Sequence, residues 1–490
     1  MKTIQPADRL SLVSEYYFSR KLKEVAQMNA EGKDIISLAI GSPDMPPSEQ
    51  TIERLCEVAR QPDAHGYQPT MGTAELRQAM ARYYKTTYGV DVDPTTEVLP
   101  LIGSKEGILH VTLAFVNPGD TVLVPNPGYP TYTSLSKLLG ARVEYYDLKE
   151  ENGWMPDFAD LFSRDLSHVK LMWTNYTHMP TGTPASQGLY DRLVELARRQ
   201  HFVIVNDNPY SRILNDKPLS IFNAWQWSDQ KGVARDCCIE LNSLSKSHNM
   251  PGWRIGMCVA KPEFIQWILK VQSNIESGMF RGLQLAAAEA LDTNTGKWHE
   301  EHNINVYRRR RKFAEQIMQA LGCTFNPAQV GMFLWGRIPD SYTNAEELTE
   351  RVLHEARVFI TPGFIFGSNG DRYIRLSLCA KEEKIAEALE RIHRALGNSF
   401  SKDSRIQGFC PSDNQAPSPQ GSFSKDSRIQ GFCPSDNQVS SSQSSFSKDS
   451  GIQGFCPSDN QVSSSQISFS KDSGIQGFCP SGNQVPSLSF

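Results

Sequence analysis

The sequence predicts an α/β fold with a mostly parallel central sheet, a smaller α+β domain and a low-complexity tail. Three observations carry that expectation. Between about residues 98 and 243, short β-rich runs alternate with helical patterns. After Gly282, longer charged helices flank shorter strands. From Phe400 onward, one unit recurs every 23 residues.

The strand runs are TVLVP (121–125), RVEYYDL (142–148), VKLMWTN (169–175), FVIVND (202–207) and CCIELNS (237–243). Several are apolar almost throughout, as strands covered on both faces are. Between two of them, the stretch 189–199 places Leu189, Leu193, Leu196 and Ala197 on one helical face. Strands that alternate with helices build a parallel sheet flanked by those helices. Further on, helices over 297–321 and 345–356 accompany strands near 331–337 and 373–378. A chain of 490 residues exceeds one core. The expected division is an N-terminal arm and small-domain segment at 1–45, a large domain at 46–282, a small domain at 283–398 and a tail at 399–490.

The tail unit, close to FSKDSRIQGFCPSDNQ, starts at Phe400, Phe423, Phe446 and Phe469. Each copy offers only Phe, Ile, Phe and Cys as apolar anchors, too little buried surface to offset ordering, so the tail is expected to be disordered. The net charge of −4 gives no basic field for nucleic acid or an anionic membrane. No run of about 18 apolar residues is present to span a bilayer. The first 24 residues lack the continuous apolar stretch of a secretory signal, so a cytoplasmic location is expected. Six cysteines are scattered (Cys56, Cys237, Cys238, Cys258, Cys323, Cys379) and four lie in the repeats, without CxxC spacing, which argues for reduced thiols and against a metal site.

The most informative stretch is Ser243-Leu-Ser-Lys246-Ser-His-Asn-Met-Pro-Gly252-Trp-Arg254-Ile-Gly256. A lysine after a buried strand, in a partly desolvated site, loses its proton readily and can form a Schiff base; elsewhere it is an ordinary loop lysine. Ser243, Ser245 and Arg254 are suited to a phosphate dianion. Asp207 closes the run FVIVND, and the end of a parallel strand is where α/β ligands bind; its bland role is that of a turn former before Asn-Pro. Gly103-Ser104-Lys105 follows the run VLPLI and opens a helical pattern, so its amides suit an anion, although capping alone explains the motif equally well.

Taken together, these residues resemble the class I/II aminotransferases, enzymes of fold type I that use pyridoxal 5′-phosphate. The resemblance spans 14–396, about four fifths of the chain. It rests on SxSKxxxxxGxRxG, AIGSPD (39–44), GYQPTMGTAELR (66–77), NPGYP (126–130), DNPY (207–210) and YIRLS (373–377), in the family's order. It implies that Lys246 carries the cofactor and shuttles the substrate proton. It further implies that Asp207 pairs with the pyridinium nitrogen, Tyr210 with the ring oxygen, and that Tyr129 stacks on the ring. Ser104, Lys105, Ser243, Ser245 and Arg254 are to surround the phosphate. Arg375, with the backbone of Gly41, is to clamp the substrate carboxylate. Tyr67 resembles the tyrosine that reaches the neighbouring subunit's phosphate, which implies a homodimer.

One position departs from the family. Where an asparagine usually donates to the ring oxygen, the segment Asn175-Tyr-Thr-His178-Met179-Pro180-Thr-Gly182 has Met179. A thioether cannot donate. The loss is expected to raise the pKa of the lysine–cofactor linkage, with Asn175 and His178 as the nearby substitutes. Lys105 corresponds to a residue that recognises a distal carboxylate in some aspartate-type members, which favours aspartate, glutamate and 2-oxoglutarate. The aromatic run at 16–18 points instead to apolar or aromatic substrates, and the chain also resembles LL-diaminopimelate aminotransferases. Amino transfer is the leading expectation. Elimination, decarboxylation or a degenerate binding protein are the alternatives, the last opposed by the intact set of Lys246, Asp207, Tyr210, Arg254 and Arg375.

Overall fold

Alternation along the strand runs sorts their side chains into two cores on opposite faces of one sheet. The computed structural model describes residues 3–13, 15, 17–224 and 233–400, Val233 and the last four by their backbone alone. These belong to one compact unit, Met1–Gly408. The repeat tail beyond Phe400, expected to be disordered, and Tyr16 lie outside the described residues.

In chain order the strands are β1 (Ile36–Ser37), β2 (Val98–Leu101), β3 (Thr121–Asn126), β4 (Arg142–Asp147), β5 (Val169–Thr174), β6 (Val203–Asp207), β7 (Cys238–Ser243), β8 (Gly256–Ala260), β9 (Phe333–Arg337), β10 (Val358–Phe359), β11 (Thr361–Pro362) and β12 (Tyr373–Ser377). Seven form the large sheet in the order β2-β8-β7-β6-β5-β3-β4, with β8 alone antiparallel to its neighbours. The expected mixed, mostly parallel sheet is therefore present. Val122, Val124, Leu171, Trp173, Val205, Ile239 and Leu241 enter one core. Their strand neighbours Leu123, Met172, Ile204 and Cys238 enter the other. Successive side chains on a strand point to opposite faces, so burial on both sides demands this near-continuous apolar sequence. β4 is an edge strand, and only Tyr146 in it is buried; its charged residues suit an exposed edge.

The second sheet, β11-β12-β9, is antiparallel, and β1 pairs with β10 in a short parallel ladder. Residues 38–44 are stitched to these strands. Leu38 donates its amide to Phe359 and accepts from Ser377, both at 2.8 Å, and the Ser377 hydroxyl donates to the Ile40 carbonyl at 2.7 Å. Gly41 is thereby held between the two sheets' residues.

The helix expected over 297–321 is three pieces: Gly296–His299, a π turn at Glu300–Ile304, and Asn305–Ala320. The π turn carries the buried Asn303, whose amide donates to the Lys246 and Ser247 carbonyls at 3.4 Å each. A helical periodicity does not reveal such a turn, which marks functional positions in many helices. Helix Arg281–Thr293, beyond the expected boundary at 282, packs on helices Glu49–Ala59 and Ala74–Tyr88. Among the described residues, no helix is long and apolar enough to cross a membrane.

Arg310 joins residues 38–44 to helix Asn305–Ala320. Its guanidinium meets both Asp44 oxygens at 2.6 and 2.8 Å and the Leu378 carbonyl at 3.1 Å, and its side chain is 5% exposed. Asp44→Ala strands that cation in a buried place, which is expected to cost ~3 kcal/mol in urea denaturation. A loss under ~0.5 kcal/mol, the range of an exposed pair, would contradict this.

Candidate active site

A cavity of about 440 Å³ opens where β6 and β7 end and where the loop after β2 begins. It gathers Gly41, Ser104, Lys105, Tyr129, Asn175, Asp207, Tyr210, Ser243, Ser245, Lys246, Arg254 and Arg375, drawn from distant parts of the chain. Tyr67 is not among its walls and is 93% exposed.

Lys246 lies on the one-turn helix Leu244–Ser247 that follows β7 directly. Ser243 caps that turn: its hydroxyl accepts from the Ser245 amide at 3.1 Å and donates to the Ile255 carbonyl at 3.3 Å. Its hydroxyl hydrogen is thus spent on the loop. The Lys246 amine donates to the Gly41 carbonyl at 2.5 Å. Burial holds its pKa below that of an ordinary lysine, and the Arg375 and Arg254 cations act in the same direction. A neutral amine, the nucleophilic form, is thereby favoured.

Asp207 is the last residue of β6, a central strand, and it is buried. Burial pushes its carboxyl up to about 7, against the hydrogen bond from Tyr132. The Tyr132 hydroxyl donates to Oδ2 at 2.9 Å, whereas Oδ1 is buried without a partner among the described residues. Tyr132 escapes sequence reasoning, since only its spacing one turn after Tyr129 hints at a role. It is stacked on Trp173 (4.8 Å between rings, 3° apart), and Tyr129 meets its edge at 5.5 Å. Tyr210 packs edge-on to Phe333 at 5.7 Å, and burial pushes its phenol pKa up.

The anion cradle depends on two close approaches. Gly103 has φ +85, and a Cβ there would stand 2.2 Å from Arg254 Nη2; a Cβ on Gly256 would stand 2.6 Å from the Ser104 amide nitrogen. Glycine at both positions lets the guanidinium and β8 close on the start of helix Ser104–Phe115, whose first amides have no partner within the helix. Arg254 donates to the Pro251 carbonyl at 2.9 Å. Neither Arg254 nor Lys105 has an acidic partner among the described residues.

Across the cavity, Arg375 projects from β12, 5% exposed. It donates to the Ala39 carbonyl at 2.7 Å and to Met179 Sδ at 3.3 Å. Its guanidinium lies 4.0 Å from the Phe333 ring centre, 4.7 Å from Phe366 and 6.0 Å from Phe18. A Cβ on Gly41 would stand 2.3 Å from the Phe333 ring, so glycine is needed there too. Phe333 and Phe366 went unseen in the sequence because nothing local links them to Arg375.

Of the two expected substitutes for the missing donor at Met179, Asn175 lines the cavity with one of its two amide hydrogens engaged, and His178 does not line it. The Asn175 amide donates to the Asp207 carbonyl, and its oxygen accepts from the Met179 amide at 2.9 Å. His178 is buried outside the cavity walls with Nδ1 at 2.8 Å from the Thr181 hydroxyl, and burial lowers its pKa to about 3.

These residues fit pyridoxal 5′-phosphate. The uncommitted Asp207 oxygen requires a donor such as a protonated ring nitrogen, the glycine-lined cradle suits a phosphate, and the lysine has an amine to link. Fold and site define a pyridoxal-phosphate enzyme. The Aminotransferase class I and II family matches residues 33–392, and the chain belongs to it. The protein is a pyridoxal-phosphate-dependent aminotransferase, and its reactants are an amino acid and a 2-oxo acid. It is 38% identical over 386 residues to an LL-diaminopimelate aminotransferase of Dehalococcoides mccartyi, covering 78% of this chain and 97% of the relative. It is 39% identical over 389 residues to the LL-diaminopimelate aminotransferase of Oleidesulfovibrio alaskensis, with 79% and 98% covered. The substrate-bound BacF structure from Bacillus subtilis superposes with a TM-score of 0.73 at 35% identity, covering 80% of this chain and 98% of BacF.

The raised carboxyl of Asp207 makes the cofactor-free protein pH-sensitive. Its folded pKa exceeds the ordinary value of 3.8, so the stability it contributes is present at acid pH and lost as pH rises through about 7. Asp207→Asn removes that dependence. Relative to the variant, the cofactor-free natural protein is expected to lose ~3 kcal/mol between about pH 5 and pH 8 in denaturant titrations. An equal gap at both pH values would contradict the assignment.

Proposed function

We propose that this aminotransferase acts on an L-amino acid with a long side chain that ends in a carboxylate, with LL-diaminopimelate as the first candidate. The observation that carries the reading is the chemistry of the cavity wall. Phe18, Leu22 and Ile40 supply an apolar lining, with Leu22 36% and Ile40 42% exposed, and Lys105 supplies a cation with no acidic partner among the described residues. An aliphatic stem with a terminal carboxylate matches both, whereas aspartate, weighed from the sequence as a substrate, is too short to cover the apolar part. The relatives named as LL-diaminopimelate aminotransferases support the same choice.

Bound pyridoxal phosphate supplies the electron sink for the bonds at the substrate α-carbon. The chain's own residues do the rest of the proposed work. Arg375, fixed by Ala39 and three aromatic rings, grips the α-carboxylate. The Lys246 amine would take the proton from the substrate α-carbon and deliver it to the cofactor carbon that had carried the aldehyde, and would make the reverse transfer for the incoming 2-oxo acid. Asp207 keeps the ring nitrogen protonated, Tyr132 holds Asp207, and Tyr210 and Tyr129 take the ring's oxygen and face. Ser104, Ser245 and Arg254 hold the phosphate. Tyr67, exposed and outside its own cavity, serves the phosphate of a second subunit in a homodimer. The six described cysteines are free, which suits a reducing compartment such as the cytoplasm.

With 2-oxoglutarate as acceptor, LL-diaminopimelate is expected to give the highest kcat/KM among itself, glutamate, aspartate and phenylalanine. Highest turnover with phenylalanine would favour the aromatic lining as the selector and overturn the reading. Arg375→Lys is expected to raise the donor KM by roughly 30-fold or more, the loss of about 2 kcal/mol from a paired carboxylate contact. An unchanged KM would remove Arg375 from its role. Met179→Asn restores a donor near the ring, so the cofactor's absorbance is expected to titrate at lower pH in the variant; titration at the same or higher pH would contradict this.

A further inference from the structure

Met179 is 5% exposed, and its side chain combines a place in the cavity wall, contact with the carboxylate clamp, and reactivity of its own. It lines the cavity, and its Sδ lies 3.3 Å from Arg375 Nη1. Its backbone is fixed by the Asn175 side chain, which accepts from its amide at 2.9 Å. The other sulfur atoms near the clamp, those of Met332 (fully buried) and Cys379 (7% exposed), meet each other at 3.7 Å and are not cavity walls.

A thioether is a weak acceptor, so it holds Nη1 only weakly. A sulfoxide is polar and a far stronger acceptor. From these contacts we propose that Met179 is an oxidation site that switches off carboxylate capture. A peroxide transfers one oxygen atom to the sulfur, the sulfur gives up two electrons, and hydrogen peroxide leaves as water. At 3.3 Å there is no room for an oxygen between Sδ and Nη1. The new oxygen therefore enters the cavity beside the guanidinium or displaces it from its place among Phe333, Phe366 and Phe18. Either outcome sets a strong acceptor in competition with the substrate carboxylate at the same cation. A substrate carboxylate already on Arg375 shields the sulfur, so turnover itself slows the modification.

The inference rests on the proposed role of Arg375, which the Arg375→Lys measurement tests separately. Cofactor-loaded enzyme is treated with hydrogen peroxide, Met179 oxidation is quantified by the mass of its peptide, and donor KM and kcat are measured. The expected result is one added oxygen on Met179, with the donor KM rising on the order of tenfold and kcat changing far less. In Met179→Leu, which cannot be oxidised there, the ratio of treated to untreated KM is expected to stay near one. Three results overturn the proposal: Met179 unmodified, Met179 oxidised with an unchanged KM, or the same KM rise in Met179→Leu. If Arg375→Lys raises KM and any of these results is obtained, the oxidation proposal fails and the clamp assignment stands.

Discussion

A carboxylate removed from water with one oxygen uncommitted is the constraint around which this site is organised. Asp207 ends a central strand of the large sheet, Tyr132 occupies one oxygen, and burial leaves the other without a partner among the described residues. A buried charge is tolerated only when an opposite charge or donors meet it. The open side of Asp207 suits a group that presents a protonated nitrogen. Lys246, on the next strand's end, is desolvated in the same cavity and needs the opposite, an electrophile for a neutral amine. Pyridoxal phosphate carries both a ring nitrogen and an aldehyde, which suits the two side chains, and each residue biases the other's charge.

Backbone closeness supplies the remaining precision. The antiparallel strand β8 brings Gly256 against Ser104, and Gly103 yields its side-chain space to Arg254. At the other wall, Gly41 yields to Phe333, which in turn packs on Arg375. In each case the absence of a Cβ lets a cation or ring approach a loop that binds through its backbone. Residues 38–44 close the site because hydrogen bonds from Ser377 and Thr361 tie them to the second sheet. The Asn303 amide, presented by a π turn, holds the carbonyls of Lys246 and Ser247 from behind.

Much of this was legible in the sequence, for physical reasons. Strands buried on both faces must be apolar, so the runs containing Val122, Trp173, Val205 and Ile239 announced the parallel sheet. Asp207 was visible because it ends such a run, Lys246 because it closely follows one, and Arg254 because it lies eight residues after Lys246 in the same stretch. The illegible parts are those set by long-range packing. Tyr132 meets Asp207 across 75 residues of chain, and Arg375 meets Met179 across 196, so no local pattern could reveal either pair. The π turn at Glu300–Ile304 hid within an ordinary helical periodicity. Met179 was seen as a missing donor; its contact with the clamp arginine became apparent only in three dimensions.

The central claim is that the Lys246 amine carries the cofactor. Borohydride reduction of the loaded protein, followed by peptide mapping, tests it most directly. The account requires the pyridoxyl mass on the peptide that contains Lys246 and no label in Lys246→Ala. A label on Lys105 or any other lysine, or none at all, would contradict it.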